Sequence, residues 1–180
     1  MQTSTLILIV CLIVLAAVVA WLVLDRRKSK LLRSRFGPEY HRAVEEHGDR
    51  RQAERDLEGR TKRVEKLPIH PLQPSDRDRF LAAWRNDQAR FVDDPAAAVS
   101  EADQLVIDLM KARGYPMADF DQRVADISVD HPRVVENYRA AHDIALRHRQ
   151  GKASTEDLRK AVIYYRALFE DLLEVHEVTR

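Results

Sequence analysis

Residues 6–24 read LILIVCLIVLAAVVAWLVL, a run without a charge, a proline or a glycine. A helix over this run, rising about 1.5 Å per residue, is roughly 28 Å long. That length matches the hydrocarbon core of a bilayer. In hydrocarbon each backbone N–H and C=O must be paired within the segment, so an isolated apolar run this long is expected as a helix. Trp21 stands near its end, where an interfacial aromatic belongs. The run therefore reads as a transmembrane anchor at 6–24, preceded by a short outside tail at 1–5. A cleaved signal peptide fits less well. Residues 1–5 carry no Lys or Arg, the apolar run is too long, and Val18-Val19-Ala20 is a poor cleavage site within it. A buried helix of a soluble protein is the remaining alternative.

The flank sets the expected orientation. After Asp25 come Arg26, Arg27, Lys28, Lys30, Arg33 and Arg35. The positive-inside rule places this side in the cytoplasm and the N-terminus outside. These six residues are the candidate lipid-surface contacts, through attraction to anionic headgroups. Residues 25–66 hold 14 Lys/Arg against 9 Asp/Glu, whereas residues 67–180 hold 16 against 20. The basic excess hugs the anchor, and the mildly acidic remainder argues against nucleic acid as a partner. Cys11 is the only cysteine and lies within the apolar run, so no intrachain disulfide is available.

Residues 25–66 are expected to form a basic juxtamembrane segment and a charged helical stalk. Gly37-Pro38 breaks the basic run. Beyond it, Tyr40, Val44, Leu57, Val64 and Leu67 make only a broken apolar stripe, too sparse for the sustained heptads of a coiled coil. The reading is an exposed stalk interrupted near Gly48 and Gly59, with pairs such as Glu46–Arg50 and Glu58–Lys62 along it. A weak homo-oligomer through this stalk is the minor alternative. Residues 67–74, LPIHPLQP, carry three prolines and read as an extended connector.

The distal segment, residues 75–178, reads as a compact bundle of about five amphipathic helices, making the chain all-α. Ser75 with Asp78 opens the first, which carries Phe80, Leu81, Trp84, Phe91 and Val92. Asp94-Pro95 opens the second as N-cap and first helical residue, and Gly114 closes it. A short helix fits Asp119 to about Ile127. Asp130 then reads as a cap for a fourth helix, which ends before Gly151, and Ser154 with Asp157 opens the last. Its stripe of Leu158, Ala161, Val162, Tyr165, Leu168, Phe169 and Leu172 is the most regular in the chain.

Motifs for chemistry are scarce. H-E-x-x-H is missing, serines follow neither G-x-S-x-G nor S-x-x-K, and five glycines make no phosphate loop. No catalytic residue, metal ligand set or cofactor is expected. The one polar cluster that invites a recognition role is Asp130, His131, Asn137 and His142, with Trp84, Phe91 and Tyr165 as candidate groove walls. Capping and a satisfied buried amide are the simpler explanation of the cluster.

FGPEY at 36–40, PIHPL at 68–72, RFVDDP at 90–95, ARGYP at 112–116 and ISVDHPRVVENYRAAH at 127–142 resemble a bacterial family of small single-pass membrane proteins of unassigned activity. The resemblance implies a bacterial plasma membrane location and no particular reaction. The expected function is a non-catalytic, membrane-anchored cytoplasmic domain that binds another protein as a scaffold or adaptor. The alternatives are a membrane-tethered enzyme or small-ligand binder and a lipid-surface sensor. A broad exposed apolar patch on the bundle would favour the first; a concave pocket with converging polar groups would favour an enzyme or ligand binder.

Overall fold

The computed structural model describes residues 2–173, with nothing described of the side chains of residues 1–11 and Val14. The fold is all-helical. Among the described residues the order is α1 (Gln2–Phe36), α2 (Pro38–His47), α3 (Arg50–Val64), α4 (Pro74–Arg90), α5 (Pro95–Ala112), α6 (Phe120–Asp130), α7 (Val135–Arg149) and α8 (Thr155–Leu173). Among them no helix is long and apolar enough to cross a membrane. The expected anchor, Leu6–Leu24, lies partly outside the described side chains, and so does the end of the bundle beyond Leu173. α1 begins at Gln2, ahead of the apolar run.

Two cores organise the molecule. The larger draws on α4 to α8, with Leu109, Met110, Ile127, Tyr138, Tyr165, Leu168 and Phe169 among its buried members. α8 packs on both α5 and α7. Its regular stripe supplies the floor, each apolar residue falling on the same side of a 3.6-residue turn. Trp84 of α4 stacks on Phe169 of α8 with ring centroids 4.6 Å apart.

The smaller core was not expected. Leu32 and Phe36 of α1, Tyr40 and Ala43 of α2, Ala53, Leu57 and Val64 of α3 and Val129 of α6 are buried together. Residues 39–66 are therefore no exposed stalk. Gly37, at φ 50°, reverses the chain after Phe36, and Gly48, at φ 65°, reverses it again after His47. α2 thus runs back along α1, and α3 runs out again. Gly59 interrupts nothing; it lies inside α3. The end of α1, α2 and α3 make a three-helix base. The expected Glu46–Arg50 pair is cut by the second reversal, and Arg50 meets Asp25 (2.9 Å) and Glu54 (3.7 Å) instead. Likewise Glu58 meets Lys28 of α1 at 2.6 Å.

Helix ends follow local chemistry with two exceptions. The side chains of Asp94 and Asp119 accept from the backbone N–H groups of Ala97 and Gln122. Ser154 and Asp157 close a reciprocal capping box at the start of α8. α4, however, begins at Pro74 behind Gln73 without a side-chain cap, so Ser75 is not its N-cap. α6 continues through Ser128 to Asp130, and α7 starts at Val135 with no side-chain cap. Asp130 therefore ends a helix rather than capping the next. Residues 68–73 form no helix, Pro74 already belongs to α4, and the segment is fastened to the end of α5, where His70 N–H donates to the Arg113 carbonyl (3.0 Å). At that point Gly114 has φ 93°, and a Cβ there would collide with the Pro68 carbonyl.

Candidate functional site

The base and the bundle meet along a seam of charged side chains, and its hub is Glu39. Glu39 is the second residue of α2, placed by the Gly37-Pro38 reversal, and it is almost wholly buried. Arg139 of α7 grips both of its oxygens in a fork, at 2.7 Å each. Arg60 of α3 donates to Oε1 at 2.8 Å. Burial alone would push the Glu39 carboxyl up; the hydrogen bonds and charges of Arg139 and Arg60 overcome it and hold the pKa below 4.5. Arg139 also reaches Glu136 at 2.6 Å, and Arg60 reaches Asp56 at 2.7 Å. Two cations thus share three carboxylates across three helices.

The seam continues along α6. Arg63 Nε donates to Asp126 Oδ1 at 2.8 Å, which also accepts from Gln122 at 2.9 Å. Beneath it Tyr40 donates its hydroxyl to buried Glu54 at 2.7 Å, and the Arg33 guanidinium lies over the Tyr40 ring. The carboxylates of Glu39, Asp126 and Glu54 are all engaged by arginine or tyrosine. Such a network fixes one helix against another.

The residues expected as a recognition cluster part company. Asp130 accepts from the Tyr115 hydroxyl at 3.1 Å and stands 3.9 Å from Arg35 of α1. His131 ends α6, with Nδ1 2.5 Å from Asp171 and Nε2 3.4 Å from Arg113. Arg113 also donates to the Leu172 carbonyl at 3.0 Å, tying the end of α5 to the end of α8. His142 lies elsewhere: its ring stacks on Phe120 at 3.7 Å. Phe120 opens α6 and Asp130 ends it, which sets the two groups about 15 Å apart along the helix. Burial lowers the His142 pKa below 6.5. Asn137 is half-buried on α7 between the two groups. Trp84 and Tyr165 belong to the apolar core rather than to a groove wall.

The six candidate lipid-surface residues divide as well. Lys28, Arg33 and Arg35 are turned to Glu58, the Tyr40 ring and Asp130. Arg26, Arg27 and Lys30 stay exposed and have no ion pair among the described residues.

The surface carries two further features. Among the described residues, nine of the fourteen exposed large apolar side chains lie on α1 between Leu12 and Leu24. On the bundle such residues stand singly, as Val92, Met117, Leu146 and Ile163, on four different segments. The other feature is an open groove of about 590 Å³ between α4 and α5, floored by Phe80, Ala83, Leu105 and Ala112 and rimmed by Arg79, Asp108 and Lys111. Among the described residues no three His, Cys, Asp or Glu side chains are grouped to hold a metal. Among the described residues both Asp87 oxygens lack a hydrogen-bond partner, and burial, reinforced by Glu101, pushes the Asp87 pKa up to about 7.

Sequence reasoning missed Glu39, Arg60, Arg139 and Asp126. The signal for Glu39 was faint: an acid placed directly after Gly-Pro, in the first turn of a helix. Its partner Arg139 is 100 residues away, beyond any local pattern. No protein-family model, curated protein or solved structure matches the chain.

Proposed function

We propose that this chain is a single-pass membrane protein whose helical head acts as a non-catalytic interaction module on the cytoplasmic face of a bacterial plasma membrane. The observation that carries the reading is the concentration of exposed large apolar side chains on α1, from Leu12 to Leu24, whereas elsewhere among the described residues they stand singly. An isolated helix sheathed in Leu, Ile and Val finds its match in lipid. The uncharged residues 1–5 and the basic residues after Asp25 support the orientation with the head inside. The resemblance of FGPEY and ISVDHPRVVENYRAAH to small bacterial membrane proteins supports the same location.

The head lacks the broad apolar patch that an obligate partner would cover. Its interaction surface is better sought in the α4–α5 groove, whose apolar floor and mixed-charge rim suit a short amphipathic segment of another protein. The same groove is what favours the second reading, a small-ligand-binding domain.

Two measurements test the proposal. Membrane fractions washed with alkaline carbonate should retain the full-length protein, and a reporter fused after Arg180 should be active only in its cytoplasmic form. A photo-crosslinking residue at Leu105 should yield a discrete adduct with a second protein, whereas one at Arg159, on an exposed turn of α8, should not. Release by carbonate refutes the anchor; crosslinks at neither or both positions refute the groove.

A further inference from the structure

The reversal at Gly48 brings the tip of the α2–α3 hairpin back to the level of α1 where the apolar run ends. Arg50 pairs with Asp25 at 2.9 Å, and the Arg51 guanidinium lies over the Trp21 ring, 5.4 Å from its centre. Trp21 is the aromatic at the end of the apolar run, and Asp25 is the first charge after it. A helix held in lipid through Leu24 therefore carries the hairpin tip with it to the headgroup layer. Arg26, Arg27 and Lys30 stand exposed just beyond. Asp25, Glu45, Glu46 and Asp49 occupy the same end of the base. These acids cancel most of the local positive charge, so long-range attraction to an anionic surface is weak here.

We propose, resting on the membrane reading above, that residues 48–51 form a second membrane contact, in which Arg51 with Arg26 and Arg27 binds the phosphodiester of phospholipid headgroups. Guanidinium groups match phosphate oxygens as a fork, and Arg51 is already oriented by the Trp21 ring. The ligand is the phosphate common to phospholipids, so the contact forms on zwitterionic and anionic bilayers alike. The base then stands on the membrane at two points, α1 and the hairpin tip.

The test uses the full-length protein in lipid nanodiscs, with Cys11→Ala as background. Spin labels are placed at Gln52→Cys, by the tip, and at Glu65→Cys, about 20 Å further along α3. Both positions are exposed. A nickel-chelating lipid should broaden the tip label several-fold more than the distal one, equally in phosphatidylcholine and in discs enriched in phosphatidylglycerol. Arg51→Gln should reduce the broadening of the tip label while leaving the distal one unchanged, and Arg51→Lys should restore part of it. Equal broadening at both labels, or a difference seen only in anionic discs, overturns the proposal. Quenching of Trp21 fluorescence by brominated lipid, read in the same samples, separates the two ideas. If Trp21 is quenched but the tip label is not broadened, the contact alone fails. If Trp21 is not quenched, the membrane reading fails with it.

Discussion

The base and the bundle are both helical, yet they are held together differently. Among the described residues the bundle buries twenty-three apolar residues in one core, whereas the base buries eight, one of them borrowed from α6. What the base lacks in apolar surface it replaces with paired charge: Glu39, Glu54 and Asp126 are buried against arginine and tyrosine partners. A segment with a sparse apolar stripe can thus pack when each ion it buries is met by a counter-ion. The contrast implies different failure modes, since a void weakens the bundle and an unpaired ion opens the base.

The strongest way to sharpen that contrast is Phe169→Ala. It removes the ring on which Trp84 stacks and should cost about 3–5 kcal/mol. Thermal unfolding of the detergent-solubilised chain should show the bundle transition falling by roughly 10 °C. Glu39→Gln comes next, at about 3 kcal/mol, because Arg60 and Arg139 lose a buried anion. Its signature differs: hydrogen exchange should rise in α2 and α3 while α5 and α8 stay protected. Equal loss throughout would show that base and bundle unfold as one unit.

The acid limb tests the same residue. The folded-state pKa of Glu39 lies below its ordinary value of 4.5. Its contribution is therefore present above that value and is lost as pH falls through the lowered one. The wild-type base should loosen in acid, and Glu39→Gln should flatten that dependence. Gly114→Ala follows, at roughly 2 kcal/mol, from a positive φ combined with a collision with Pro68. It should free the connector, read as protease sensitivity at residues 67–73.

The smallest effect expected is a gain. The raised pKa of Asp87 means that its favourable, protonated contribution is whole below pH 3.8 and lost as pH climbs through about 7. Asp87→Asn should stabilise the bundle by about 1–2 kcal/mol at pH 8 and change little near pH 4.

The bundle was legible in the sequence because its signals are local. Asp94-Pro95, Gly114 and the Ser154–Asp157 box each act within a few residues, and the α8 stripe repeats over about four turns. The base was not, because its contacts join distant segments. Leu57 looks stranded on α3 until Leu32, Phe36 and Tyr40 are folded over it by two glycine reversals. Basic residues read as a uniform lipid-facing set were divided by geometry, since successive positions on α1 point about 100° apart. Lys28 and Arg35 turn toward carboxylates on α3 and α6. The Asp130 cluster dissolved because α6 runs three residues longer than its apolar pattern indicates, which sets His131 and His142 toward opposite ends of that helix.

α1 runs from Gln2 to Phe36 without a break, and its last turns are built into the base. Such a rod leaves no swivel between its apolar first half and the part that carries the head. A change in how the rod leans is passed on whole, and Arg35 and Glu39, fixed on either side of the Gly37 bend, carry it into α6 and α7 as a mast carries its roll to the rigging.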